Sequence, residues 1–100
     1  MTMPEEHVIT VSEQATRAIR ERCAAAGASP SVRVHVLGGG QPLAVALVPD
    51  TTHRPGDQLA AADGVVVRVG RELAGAVDRH RLDAWPGEDP DSLHFVFTAP

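Results

Sequence analysis

Five histidines, one cysteine and a run of three glycines are the residues of this chain best equipped for chemistry. His7, His35, His53, His80 and His94 could ligate a metal together with Asp50, Asp57 or Asp83, since imidazole is the commonest protein metal ligand. No two of the histidines stand at a ligating spacing such as i, i+2 or HExxH, so no tight histidine metal site is expected and no metal ligand is assigned. Gly38-Gly39-Gly40-Gln41-Pro42 could cradle an anion on its amides, yet neither a Lys-Ser/Thr pair nor a helix start follows, as a phosphate loop requires. A tight reversal between two strands is the simpler reading. Cys23 would act as a nucleophile only in an electropositive, accessible setting, and its place late on an apolar helix face makes it a buried structural thiol. There is no GxSxG elbow, and Ser12, Ser29, Ser31 and Ser92 occupy cap or turn positions. Asp83 and Glu88 could pair as acid and base, but carboxylates are common on an acidic surface. No catalytic or cofactor-binding residue is assigned, and the chain is not expected to be an enzyme. What remains is a candidate ligand or partner tip made of His35, Gly38, Gly39, Gly40 and Gln41.

That tip has to be held by strands. Val32-Arg33-Val34-His35-Val36 alternates with the period of a strand, placing three valines on one face and Arg33 and His35 on the other. Leu43-Ala44-Val45-Ala46-Leu47 repeats the pattern, and the glycines and Pro42 between them suit a reversal. Upstream, Val8 to Val11 reads as a short strand, and Ser12 as the N-cap of a helix running to about Ala26. Ala15, Ala18, Ile19, Arg22, Cys23 and Ala26 share one face of that helix, Glu13, Arg17, Arg20 and Glu21 mark its solvent side, and Gly27 closes it. Downstream, Thr51 to Asp57 is an exposed loop with a turn at Pro55-Gly56-Asp57, and Gln58 to Ala61 is a weak strand. Asp63-Gly64 is a hairpin signal feeding Val65 to Val69, a strand expected to be covered on both faces. Arg71 to Val77 is read as one or two helical turns. Arg81 to Trp85 alternates as a strand, Pro86 to Asp91 is an acidic loop, and Leu93 to Phe97 closes the chain with Leu93, Phe95 and Phe97 inward.

Composition narrows the classes. One hundred residues suit one domain, which at this size buries roughly two-thirds of the surface of its unfolded chain. Residues 1–7 are expected to be a flexible N-terminus and residues 8–100 the domain. The chain is 43% hydrophobic but only 3% aromatic, so Trp85, Phe95 and Phe97 are its only large rings, and Trp85 is expected to be at least half buried among them. All nine basic residues are arginines, dispersed along a chain of net charge -4, which argues against nucleic acid. No apolar run approaches the ~18 residues of a membrane helix, and Glu5 and Glu6 stand where a secretory leader would be basic. A cytoplasmic protein without a membrane or nucleic-acid partner is expected. One cysteine excludes an internal disulfide and an all-cysteine metal site within one chain.

Read in order, four pieces resemble the HesB/IscA group, the A-type iron-sulfur carrier domains. They are Ile9-Thr10-Val11-Ser12 before the first helix, Val32 to Val36 before the glycine tip, Val66-Val67-Arg68-Val69-Gly70 before Leu73, and Leu82-Asp83 before the closing Phe95-Val96-Phe97-Thr98-Ala99-Pro100. The resemblance spans residues 8–100. It implies an α+β, mostly β fold: a HesB-like pseudo-barrel of a mixed, folded-over sheet with one N-terminal covering helix and a short second helix. It also implies a role in receiving and passing on iron or iron-sulfur clusters, as a homo-oligomer, with iron-sulfur assembly or client proteins as partners. The family's tip cysteine is replaced here by Gly40-Gln41-Pro42, and its Cys-Gly-Cys tail lies beyond the closing strand, where this sequence ends at Pro100. Thiolates hold such clusters because soft sulfur matches their iron, so no ligand is carried over to any residue and no cofactor is assigned. The expectation is a related accessory or binding protein that holds no cluster. Two alternatives are a small metal binder or enzyme using the tip with His35 and Gln41, and a structural dimerisation module.

Overall fold

The computed structural model describes residues 9–40, 42–86 and 93–99. Seven strands and two helices follow one another as β1 (Thr10–Val11), α1 (Glu13–Ala25), β2 (Ser31–Gly38), β3 (Leu43–Pro49), β4 (Gln58–Ala62), β5 (Val65–Val69), α2 (Arg71–Ala74), β6 (Arg81–Pro86) and β7 (Leu93–Thr98). All seven strands join one sheet in the order β1-β6-β7-β3-β2-β5-β4. The β1/β6 and β2/β5 pairs are parallel and the other four are antiparallel. The outermost strands, β1 and β4, come into contact, so the mixed sheet curls into a nearly closed barrel. This is the α+β, mostly β pseudo-barrel expected above.

The first helix begins where a cap allows it. Ser12 has extended backbone and its Oγ accepts the Ala15 N–H, satisfying one of the amides a helix start leaves unpaired. The helix ends at Ala25 with Ala26 as C-cap, and Gly27 takes the left-handed φ of +67° that terminates such helices. Ala15, Ala18, Ile19 and Cys23 enter the core with Val32, Val34, Val45, the alternate valines of β5, Leu82, Phe95 and Phe97. Thr16 is buried as well, its hydroxyl donating to the Ser12 carbonyl, whereas Ala26 is exposed. The β4/β5 hairpin turns on Asp63 (φ 48°) and Gly64 (φ 81°), the pair of positive φ values that a two-residue turn of this hand needs.

Several expectations are corrected. Arg33, on the side of β2 away from the valines as the strand period predicts, is nonetheless only 5% exposed, because the segment after β3 folds over it. Val36, expected to share one face with Val32 and Val34, is 48% exposed where those two are buried: β5 pairs with β2 only as far as Arg33, and beyond that β2 is an open edge. Of β5, Val65, Val67 and Val69 are buried, while Val66 and Arg68 are half-buried. Trp85 retains 41% of its surface in solvent, on the face of β6 away from the core, so the core rings are Phe95 and Phe97. The helical reading of Arg71 to Val77 reduces to one turn at Arg71–Ala74 followed by turns. Val8, the N-terminal residues 1–7, most of the acidic loop and the side chain of Leu93 lie outside the described residues.

Candidate functional site

The tip is built by β2, which runs on past the end of its pairing with β5, and by β3, whose first residues, Leu43 to Val45, stay paired with β7. Residues of β2 from Val32 to Val36 pair with β3 from Val45 to Pro49, and the register then slips at Leu37 before Gly38 meets Ala44. A bulge of this kind re-aims side chains and ends regular pairing, and Leu37 is left 69% exposed. His35 lies on the outer face of β2 opposite Ala46, exposed. Gly38, Gly39 and Gly40 are exposed, and a Cβ at any of them would meet nothing. Only Gly40, at φ +125°, adopts a backbone that demands glycine. Gln41, the fifth residue of the expected site, lies outside the described residues. The structure thus brings His35 and the three glycines onto one exposed hairpin end, with the apolar Val36 and Leu37 between them.

A groove of about 240 Å³ runs beside this end, lined by Arg22, Leu37, Ala44 to Leu47, His94 and Phe95. It exists because β3 and β7 are paired only from Leu43 to Val45. Arg22 stacks its guanidinium 5.1 Å from the centre of the Phe95 ring, a favourable cation–π distance. The lining includes a histidine and an arginine and no carboxylate. Cys23 borders a separate cavity of about 50 Å³ with Ile19, Val32, Leu47 and Phe95 and is 2% exposed. A thiol in that position packs as a small apolar group.

Other residues with chemical potential are held by structure. Asp83 receives the Ser12 hydroxyl at 2.7 Å and the Ala84 N–H at 2.9 Å. Burial works to raise its pKa, but those hydrogen bonds and the nearby Arg81 outweigh it and hold the carboxyl below its ordinary value. Its proposed acid-base partner, Glu88, lies outside the described residues. His80 Nδ1 lies 2.9 Å from the Asp78 carbonyl, and His53 is exposed in the loop after β3. Among the described residues, no three His, Cys, Asp or Glu side chains converge as a metal site.

The largest polar cluster was not foreseen. Arg33 donates from Nε to Asp50 at 2.9 Å, from Nη1 and Nη2 to the two carboxylate oxygens of Asp57 at 2.9 and 2.7 Å, and from Nη2 to the Thr52 carbonyl at 2.9 Å. The Asp57 side chain is 1% exposed. Hydrogen bonding to Arg33 holds Asp57 well below the usual carboxylate range despite its burial, with the Arg54 N–H assisting. Asp50 is lowered too, first by the Thr52 N–H and then by Arg33. Asp50 and Asp57 bracket a turn-rich segment, Thr51 to Gly56, and those two carboxylates downstream of an arginine set among the valines of β2 were the available signal.

No protein-family model and no curated protein matches this chain. Solved structures do match it over nearly its whole length. A protein from Aquifex aeolicus determined by NMR has a TM-score of 0.76 at 22% identity, covering 100% of this chain and 99% of its own. Escherichia coli SufA, involved in the biosynthesis of iron-sulfur clusters, has a TM-score of 0.75 at 22% identity, covering 96% and 89%. IscA with a [2Fe-2S] cluster has a TM-score of 0.67 at 20% identity, covering 93% and 86%. At these identities the likeness is one of fold: the chain has the HesB/IscA-like fold that its sequence resembles.

Proposed function

We propose that this chain is an accessory or binding protein of iron-sulfur cluster assembly that does not itself hold a cluster. One observation carries the reading: the fold is that of SufA and IscA, yet the only thiol in these hundred residues is Cys23, packed into the core from α1. Cluster iron takes about four thiolate-type ligands. Two copies of the chain would offer two, both on inner helix faces, while Gly38 to Gly40 supply no side chain at all. The exposed Val36 and Leu37 beside the glycines are the surface we assign to a partner, either an assembly protein or a client. A cytoplasmic, non-enzymatic homo-oligomer is consistent with this reading.

Supplying iron and sulfide under reducing conditions, then desalting and recording a visible spectrum, tests it. The expected result is no absorption beyond that of the protein itself. Persistent charge-transfer bands with iron and sulfide in matching amounts would return the chain to the carriers. The thiol is a second check: Cys23 is expected to react slowly with a thiol reagent in native protein and rapidly once denatured.

A further inference from the structure

The fold gathers two histidines that are far apart in sequence. His35 of β2 stands opposite Ala46 of β3, and directly opposed residues share a face. Ala44 stands opposite Val96 of β7. Alternate residues of a strand share a face, so Ala46 and His94 project to that same outer side. Ala46 and His94 also line one groove. Trp85 of β6, opposite His94, completes the row. Across the sheet the order is His35, Ala46, His94, Trp85, and both histidines are exposed.

We propose that His35 and His94 form a two-imidazole site for a divalent transition metal, closed over the methyl group of Ala46. Two strand spacings, about 9.6 Å, are the least that separates their backbones, because the β3/β7 ladder ends at Val45 and Phe95, one residue short of Ala46 and His94. Imidazoles leaning toward each other span that gap when both bind one ion at about 2.1 Å. Alanine between them is what leaves the space open. Imidazole ligands suit copper, nickel and zinc, with Cu²⁺ bound most strongly of the series. With no third protein ligand among the described residues, water completes the coordination, and the affinity is that of a bidentate surface site, well short of a structural zinc site. This site is independent of the cluster reading above and uses none of the thiol chemistry discussed there.

Trp85, the only tryptophan of the chain, stands beside His94 and reports occupancy. Titrating the full chain with Cu²⁺ is expected to quench its fluorescence saturably at one ion per chain, while Mg²⁺, which selects oxygen ligands, leaves it unchanged. His35→Ala and His94→Ala are each expected to raise the half-saturation concentration by at least about tenfold, the low end of what losing even an outer-shell partner costs. Ala46→Leu, which keeps both imidazoles but fills the space between them, is expected to weaken binding too, and His53→Ala is expected to have no effect. Circular dichroism of each variant checks the fold. Quenching that does not saturate, that survives His35→Ala, that is lost in His94→Ala alone, or that ignores Ala46→Leu overturns the site.

Discussion

A single arginine illustrates what alternation can and cannot say about a residue. The strand period correctly sends Arg33 and His35 to the side of β2 away from the valines, but only His35 meets solvent there. The difference is the chain from Asp50 to Asp57, which covers Arg33 and binds it through three groups. Arg33→Ala would leave the Asp57 carboxylate buried without its main partner, and unfolding in urea is expected to show a loss of about 2–4 kcal/mol. A loss below half a kilocalorie would mean that water replaces the guanidinium without cost. The pH dependence follows from the direction of the shift: a carboxylate whose folded pKa lies below its unfolded value, about 3.9, stabilises above that pH and loses its contribution as the pH falls through the folded pKa. The stability difference between the parent chain and Asp57→Asn is therefore expected to hold steady near neutrality and to narrow from about pH 4 downward. A difference that stayed constant into strong acid would show that the Asp57 charge contributes nothing.

Among the elements, α1 depends on one hydroxyl with two duties. Ser12 Oγ accepts from the first turn of the helix at 3.1 Å and donates to Asp83 of β6 at 2.7 Å, joining the helix start to the sheet it covers. Ser12→Ala is expected to cost about 1–2 kcal/mol in thermal or urea unfolding, because a cap is lost and Asp83 loses a donor together. Ser12→Thr keeps both bonds and is expected to recover most of that loss, whereas Ser12→Asp keeps the cap but sets a second carboxylate against Asp83 and is not. Equal stability of the alanine and parent chains would mean that the cap contributes nothing here. The hairpin carrying the tip shows the opposite economy of contacts. β2 beyond Arg33, on the way to the tip, runs on without β5, which leaves Val36 and Leu37 at the surface, and β3 beyond Val45, on the way from it, runs on without β7, where the groove opens.

At the level of the whole molecule, the barrel closes around a core that excludes its largest side chain. Trp85 sits on the outer face with 41% of its surface exposed, so native emission is expected to lie between those of a buried and a fully solvated indole, moving only modestly to the red on unfolding. A large shift from a strongly blue native spectrum would place that ring inside. The expectation of half burial is compatible with 41% exposure, but the expectation of a core ring is not. With only three large rings in the chain, leaving one outside forgoes a large burial, but the valines, leucine and phenylalanines of the curled sheet fill the interior without it.

The local grammar of this protein is written in its residue order. Caps, glycine stops, the Asp63-Gly64 turn and the two-residue period of the strands are set by φ preferences and by nearest neighbours, which is why the order of elements and the glycine tip were legible, and why the resemblance pointed to the right fold. Which outward residues become buried, and which distant ones meet, follows from the assembled sheet. Arg33 is covered by a loop that no periodicity describes, Val36 is bared because β5 ends early, and His94 reaches the row of His35 through the register of β3 between them. Those outcomes depend on which strands pair and for how long, a property of the closed sheet that no single stretch of sequence contains.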